Sequence, residues 1–385
     1  AAALLWLVPA FWLAIHVALI RGVGRRWGRT ASLVALPVVW TGIEHFRSEL
    51  YYLRFSWLTP GLALPAAEAA GVLHLAGVYG VGLLGAAIGA LAWAGRRGVI
   101  AALGLAAVMA AAAVLPHGRP AGGVRLQVAG LQVEGMPEEQ LPGLLERLRR
   151  ERPDTALYVL PEYSLEEEPK EELLAWCRER ACWLVVGGRR RLPGGGFFNA
   201  AFVVSPEGRV VFEQAKSVPI QFFDDGRPAP GQQLWDSPWG PLGILICYDL
   251  SYTRVVDRLV AAGALALLVP TLDEVSWGLA QHRLHGRVAP ARAAEYGLPI
   301  VRIASSGISQ IVAADGRVTA SAPYSEDVVA VAGEITLAGP GRRPQARRLA
   351  PLCAAATGVL AVLLLSQFRL ARSSPGRRSS PSSSP

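Results

Sequence analysis

Apolar residues are segregated along this chain rather than spread evenly. Residues 1–20 are almost uncharged, broken only by His16, and residues 30–43 form a shorter run that ends in Glu44. Residues 69–93, 98–116 and 349–368 have the same uncharged character. A helix needs ~20 apolar residues to cross a bilayer core, so the pattern predicts five spans, the second of which crosses only if it continues through Phe46. A buried core helix explains one such run, but not four in a chain of 385 residues.

From residue 124 to about 335 the pattern changes to short β-rich runs alternating with amphipathic stretches. Strands are predicted at 124–129, 157–160, 183–187, 200–204, 209–212, 242–246, 264–269 and 300–304, with a hairpin of 309–313 and 316–319 around Ala314-Asp315-Gly316. Leu141, Leu144, Leu145 and Leu148 recur at helical spacing within 138–152. Further helices are expected at 169–180, 253–262 and 281–296. Strands alternating with helices, with apolar runs in the strands, imply an α/β layered domain.

The expected organisation is a transmembrane helical region at 1–116 with about four spans, then a catalytic domain at 117–348. A closing membrane helix at 349–370 and a Ser/Pro/Arg-rich disordered tail at 371–385 complete it. The chain opens on Ala inside an apolar run that lacks the basic start and cleavage site of a signal peptide; a missing N-terminal piece is the expectation.

Composition supports a membrane protein. The chain is 52% hydrophobic and only 18% charged, with mean hydropathy +0.32. Arg21, Arg25, Arg26 and Arg29 follow the first span, Arg96 and Arg97 lie between the third and fourth, and Arg369, Arg372, Arg377 and Arg378 follow the last. The positive-inside rule puts these three clusters in the cytoplasm. Counting along the spans then places 47–68 and 117–348 outside. Arg342, Arg343, Arg347 and Arg348 oppose this, but long translocated domains obey the rule poorly. The net charge of +8 therefore reflects arginine-rich loops facing lipid headgroups; no nucleic-acid motif accompanies it. Cys177 and Cys182 lack metal-site spacing. A disulfide between them is open outside the cytoplasm, with two packed thiols the simpler alternative.

Three residues carry candidate chemistry. Cys247 ends the apolar run Gly243-Ile244-Leu245-Ile246, Glu162 follows Leu157-Tyr158-Val159-Leu160-Pro161, and Lys216 follows Val210-Val211-Phe212. A free thiol titrates near pH ~8.5 and is a poor nucleophile at neutrality without a base or cation. A carboxylate can take its proton, and a fixed lysine can stabilise an oxyanion. Each residue alone is ordinary: a lone cysteine after a strand is usually a small buried hydrophobe, and the acid and the lysine pass for solvated strand ends. Their conjunction is not ordinary.

Glu, Lys and Cys in that order at strand ends resemble the triad of the nitrilase, or carbon–nitrogen hydrolase, superfamily. With the multi-span region and closing span, the chain resembles the apolipoprotein N-acyltransferase family in particular. Trp40-Thr41-Gly42-Ile43-Glu44-His45-Phe46-Arg47 with Phe55-Ser56-Trp57-Leu58 is similar to that family's tryptophan-bearing outer loop. Gly77-Val78-Tyr79-Gly80-Val81, Phe198-Asn199-Ala200-Ala201, and the stretch from Gln281-His282-Arg283 through Ala291-Arg292-Ala293-Ala294-Glu295 to Ser306-Gly307-Ile308-Ser309 match as well.

The resemblance implies a multi-span α-helical membrane region plus an α/β nitrilase-like domain, an α-β-β-α sandwich. The implied activity transfers a fatty acyl chain from a phospholipid donor to a diacylglyceryl apolipoprotein acceptor at the inner membrane, with the catalytic domain facing the periplasm. Cys247 would carry the acyl thioester, Glu162 would serve as base and then acid, and Lys216 would stabilise the oxyanion. No metal or organic cofactor is implied. Tyr248, Asp249 and Trp57 are supporting candidates, with Asp249 standing where the family has Glu; an aromatic belt accounts equally for Trp57. After Lys216-Ser217-Val218-Pro219 the family carries a glutamate that this chain lacks. Gln221, Asp224 and Asp225 are the available substitutes, and Asp224 is the chosen one. A membrane-tethered amidase and a non-catalytic scaffold are the competing functions.

Overall fold

The computed structural model describes residues 2–114 and 122–373. The chain divides into two compact units, one built from residues 1–47, 82–106 and 348 onward, the other from residues 48–81 and 107–347. Three helices open the chain: α1 (Ala2–His45), α2 (Ala70–Trp93) and α3 (Arg96–Ala113). The last element, α9 (Leu349–Ser373), covers the residues of the expected closing span. The far end of the expected fourth span and the tail beyond residue 373 lie outside the described residues.

Four helices among the described residues are long and apolar enough to cross a membrane. The first two expected spans share α1. At 44 residues and 1.5 Å per residue this helix would be roughly 66 Å long, about twice a bilayer core. It is not continuous: Gly28 has φ 84° and ψ 174° and divides it into two shorter helices. The arginine group Arg21–Arg29 gathers at that break, where Arg29 donates to the Trp93 carbonyl at the end of α2 (2.6 Å). Side chains such as Phe11, Val34, Leu103 and Val359 are exposed, as lipid-facing residues are. α1 and α9 pack closely where Gly42 leaves room for the Cys353 carbonyl; a Cβ there would lie 2.5 Å from it.

The second unit contains two six-stranded sheets. Its elements are β1 (Val124–Gln132), α4 (Leu141–Glu151), β2 (Leu157–Val159), α5 (Glu171–Arg180), β3 (Trp183–Arg191), β4 (Phe197–Val204) and β5 (Val210–Ala215). There follow β6 (Leu234–Ser237), β7 (Gly240–Ile244), α6 (Thr253–Ala261), β8 (Ala266–Thr271), α7 (Leu279–Gly286), α8 (Val288–Tyr296), β9 (Ile300–Ala304), β10 (Ser309–Val312), β11 (Val318–Ala322) and β12 (Val329–Leu337). The strand orders are β12-β1-β2-β3-β4-β5 and β11-β10-β9-β8-β7-β6. β1, β2 and β3 run parallel; β4 is antiparallel to β3, and β5, antiparallel to β4, returns to the direction of β1–β3. β7, β8 and β9 repeat that arrangement, with β10 antiparallel to β9 and β11 antiparallel to β10. The two sheets thus share one topology.

Helices cover the outer faces. Leu141, Leu144, Leu145 and Leu148 of α4 join Tyr158, Leu184 and Phe202 in one buried cluster with Trp176 of α5. The inner faces meet where Gly130 of β1 lies against Ile303 of β9. Every residue of β2 and β8 is buried, as expected for central parallel strands covered on both faces. The single helix expected at 281–296 is two helices meeting at Arg287. Pro290 explains the break: it has no N–H and its ring would clash with the Gly286 carbonyl, so it is accommodated only in the first turn of a new helix.

Candidate active site

The parallel strands bring their C-terminal ends together, and the candidate residues stand there. Glu162 follows β2, Lys216 follows β5, and Cys247 follows β7. All three are buried, with exposures of 2%, 0% and 2%. Lys216 Nζ lies 2.8 Å from Glu162 Oε1 and 2.7 Å from Asp225 Oδ2. Asn199 on β4 donates to both acids, to Glu162 Oε1 at 2.6 Å and Asp225 Oδ1 at 2.7 Å. Glu162 Oε2 accepts the Leu272 N–H at 2.7 Å, and the Cys247 thiol donates to the Leu272 carbonyl at 3.5 Å. The backbone of one residue after β8 therefore spaces the thiol from the carboxylate.

The electrostatics follow from this packing. Burial pushes the Cys247 thiol well above its usual pKa, the Glu162 charge adds to this, and Lys216 opposes it. The Cys247 thiol is therefore neutral at rest, and would need a base to act as a nucleophile. Burial acts against a charged Lys216, but the charges of Glu162 and Asp225 outweigh it and keep the ammonium protonated. Burial likewise acts against Asp225, whose carboxyl is nonetheless held below its usual range by Lys216 and by hydrogen bonds from Ile220 N and Tyr163.

Cys247 sits at φ 49°, a left-handed conformation that costs a non-glycine residue about 1–3 kcal/mol unless its surroundings impose it. The following turn, Cys247–Ser251, is held from several sides. Asp249 accepts the N–H groups of Val218 (2.8 Å), Ser217 (3.0 Å) and Ile246 (3.4 Å). Its own pKa is raised to about 6 by burial, against those hydrogen bonds. Tyr248 donates to the Arg54 carbonyl at 2.9 Å and is pushed up to about 12 by burial. Trp57 Nε1 donates to Ser251 Oγ at 2.9 Å. Its ring packs edge-on to Tyr248 and stacks on His285 with centroids 4.4 Å apart. Trp57 therefore packs against the Cys247–Ser251 turn.

Asp224 is exposed and does not join the cluster; its neighbour Asp225 does. Of the three substitutes named for the missing glutamate, the one in reach of Lys216 is Asp225. Cys177 and Cys182 are buried free thiols. Among the described residues, no group of His, Cys, Asp and Glu is arranged to hold a metal ion.

Further buried groups support the turn from residues far away in sequence. On α8, Arg292 donates to the carbonyls of Leu250 (3.1 Å) and Ser251 (2.7 Å) and pairs with Glu295. Glu295 in turn accepts the Val78 N–H at 3.2 Å. Val78 follows Gly77, whose φ of 69° interrupts α2, and a Cβ on Gly77 would lie 2.9 Å from the Glu295 carboxylate. Only glycine meets both demands there. Glu49 accepts from Thr253 N (2.9 Å), Thr253 Oγ1 (2.5 Å) and Tyr79 OH (3.0 Å). Behind Trp57, Asp273 accepts from Arg302 Nη2 (2.6 Å) and meets His285 Nδ1 at 2.7 Å. Burial would raise the Asp273 pKa, but His285 and Arg302 hold it well below its usual range. Burial also depresses His285 itself. Arg302 Nη2 also lies 3.0 Å from His285 Nδ1. Charged residues in the otherwise apolar Val288–Tyr296 are the sign of this layer in the sequence, whereas Asn199, inside the strand Phe197–Val204, carries no local sign of its role.

Comparison with known proteins agrees with the fold. The carbon–nitrogen hydrolase family model matches residues 124–339, and the apolipoprotein N-acyltransferase N-terminal domain model matches residues 1–91. The chain is 26% identical over 384 residues to the apolipoprotein N-acyltransferase of Geobacter metallireducens, covering 85% of this chain and 73% of that one. It is 28% identical over 435 residues to the Azotobacter vinelandii apolipoprotein N-acyltransferase, covering 97% and 82%. The yeast omega-amidase NIT3 is 24% identical over 251 residues, covering 53% and 86%. Among solved structures, a carbon–nitrogen hydrolase from Helicobacter pylori superposes with a TM-score of 0.49 at 18% identity, over 63% of this chain and 94% of that one. With one family model matching more than half of its length and a second matching its membrane-helical start, the chain belongs to the carbon–nitrogen hydrolase family, as an apolipoprotein N-acyltransferase-like member of it.

Proposed function

We propose that this protein transfers a fatty acyl chain from a phospholipid to the amino-terminal diacylglyceryl-cysteine of lipoproteins, through a thioester on Cys247. The observation that carries the proposal is the buried Glu162–Lys216–Cys247 cluster in a chain that also has four helices of membrane-crossing length. Both substrates are lipids, which gives the helices a purpose. The protein is then a multi-pass protein of the bacterial inner membrane. The positive-inside rule puts the 117–348 domain on the outer side.

The proposed chemistry uses these three residues in turn. Glu162 takes the thiol proton as Sγ attacks the ester carbonyl. Charge develops on the carbonyl oxygen, and the Lys216 ammonium donates to it. Collapse of the tetrahedral intermediate breaks the ester C–O bond, and Glu162 returns its proton to the departing lysophospholipid alkoxide. The free α-amine of the acceptor then attacks the thioester, and its proton passes through Glu162 to the leaving thiolate. The product is an amide, which is more stable than the thioester, so no nucleotide is required.

Asp225 bears on the alternatives. Absence of the family's glutamate favoured a non-catalytic scaffold, yet a carboxylate does contact Lys216. Hydrolysis of a small amide uses the same cluster and is favoured by the similarity to omega-amidases. Supplying phosphatidylglycerol with a diacylglyceryl-cysteine peptide, beside a set of small ω-amides, separates the two. N-acylated peptide with no amide hydrolysis is the expected result; amide hydrolysis without acyl transfer would replace this function with the amidase.

A further inference from the structure

A pocket of about 540 Å³ lies next to the cluster but is not part of it. Arg189, Arg191 and Arg227 line it, together with Phe197 and Asp224. It stands at the end of β3, on the strand-end side of the sheet where Glu162 also sits, the side on which open α/β sheets bind ligands. The guanidinium of Arg189 lies over the rings of Tyr163 (4.7 Å) and Phe197 (5.3 Å). Stacking fixes its plane and leaves its N–H edge available; among the described residues it has no carboxylate partner. Arg227 makes one long hydrogen bond, to the Gly195 carbonyl at 3.3 Å. Arg191 pairs with Glu167 at 2.9 Å. Three guanidinium groups thus face a single lining carboxylate, and the pocket is net positive.

Two connections relate it to the reaction. Tyr163, under Arg189, donates to Asp225 at 2.8 Å, and Asp225 contacts Lys216. Phe222 and Phe223 directly precede Asp224 and are 83% and 61% exposed, with Phe222 at φ 70°. A cationic pocket thus adjoins exposed apolar side chains, as an amphiphile with an anionic head requires. Planar guanidinium groups suit phosphate oxygens, to which they donate paired hydrogen bonds.

We propose that Arg189, Arg191 and Arg227 form the subsite for the phosphodiester group of the acyl donor, with Phe222 and Phe223 along its acyl chains. This rests on the phospholipid-donor function proposed above. The test measures thioester formation on the full chain in neutral detergent micelles by intact mass, with two donors: phosphatidylglycerol and the phosphate-free ester p-nitrophenyl palmitate. Arg189→Gln and Arg227→Gln should each raise the half-saturating phosphatidylglycerol concentration about tenfold, the usual effect of losing a charge-assisted hydrogen bond. The saturating rate should stay within twofold, and p-nitrophenyl palmitate kinetics should not change. Inorganic phosphate should compete with phosphatidylglycerol but not with p-nitrophenyl palmitate. Equal losses with both donors would make the arginines structural and overturn the assignment, as would no loss with either. Phosphate competition together with unaffected arginine variants would mean a different anion site, and also overturns it. Wild type that is acylated by p-nitrophenyl palmitate but never by phosphatidylglycerol would defeat the donor function itself, and the subsite with it.

Discussion

Asp225→Asn is the sharpest test of the charge arrangement, because its neighbour Asp224 provides an internal control. The Asp225 carboxylate accepts four donors: Tyr163 OH and Asn199 Nδ2 on Oδ1, and Ile220 N and Lys216 Nζ on Oδ2. An asparagine has one acceptor oxygen and one NH₂. Whichever way the amide turns, its NH₂ faces two donors. Two hydrogen bonds are lost, each of them made to an ionised carboxylate. At about 1.5 kcal/mol for each, the loss is about 3 kcal/mol whichever way the amide turns. It stays below the full cost of stranding a buried charge, because Lys216 keeps Glu162 at 2.8 Å. For a domain of this size, that is about 6–12 °C in Tm. Thermal unfolding in detergent and the rate of thioester formation should both fall for Asp225→Asn. Asp224→Asn, on an exposed side chain, should leave Tm and the saturating rate unchanged. A Tm for Asp225→Asn within 1–2 °C of wild type (about 0.5 kcal/mol on the same scale), or damage from Asp224→Asn instead, would refute this reasoning.

Three further outcomes are expected. Lys216→Ala should slow thioester formation by ~100-fold or more; near-normal rates would remove the lysine from the oxyanion role. Glu295→Gln must turn an NH₂ toward either the Val78 N–H or Arg292, so it should lower Tm and slow thioester formation about tenfold, while Glu334→Gln, at an exposed position of β12, should do neither. Asp249 has a folded pKa of about 6, above its unfolded value, so its contribution to stability is greatest at low pH and is lost as pH rises through 6. Burial of His285 acts in the opposite direction over the same range, so the comparison must be a difference: the Tm advantage of wild type over Asp249→Asn should grow between pH 7 and pH 5, and a constant difference would disprove the shift.

Much of this architecture was legible in the sequence because it rests on periodicity. The wholly buried β2 and β8 are continuous apolar runs, and α4 shows its leucines at helical spacing. What escaped depends on contacts between distant residues. β6 is only four residues long, and β12 alternates irregularly between buried and exposed positions, so neither carries a pattern without its partner strand. The break between α7 and α8 was signalled by Pro290, but an otherwise helical stretch concealed it. At the site, strand-end positions pointed to Glu162, Lys216 and Cys247, since a strand that runs out of apolar residues marks a sheet edge. The choice between Asp224 and Asp225 had no such guide: in a loop, neighbouring side chains have no fixed alternation, and only the fold turns one toward Lys216. Likewise Glu49 reaches Thr253 across 204 residues, a pairing that no local pattern encodes.

The proposed mechanism requires a covalent acyl-enzyme, which intact mass spectrometry after incubation with phospholipid detects. The wild-type chain should gain the mass of one fatty acyl group, released by hydroxylamine, and Cys247→Ala should gain none while remaining folded in the membrane. An acyl adduct persisting on Cys247→Ala, or its absence from folded wild type, would contradict the mechanism.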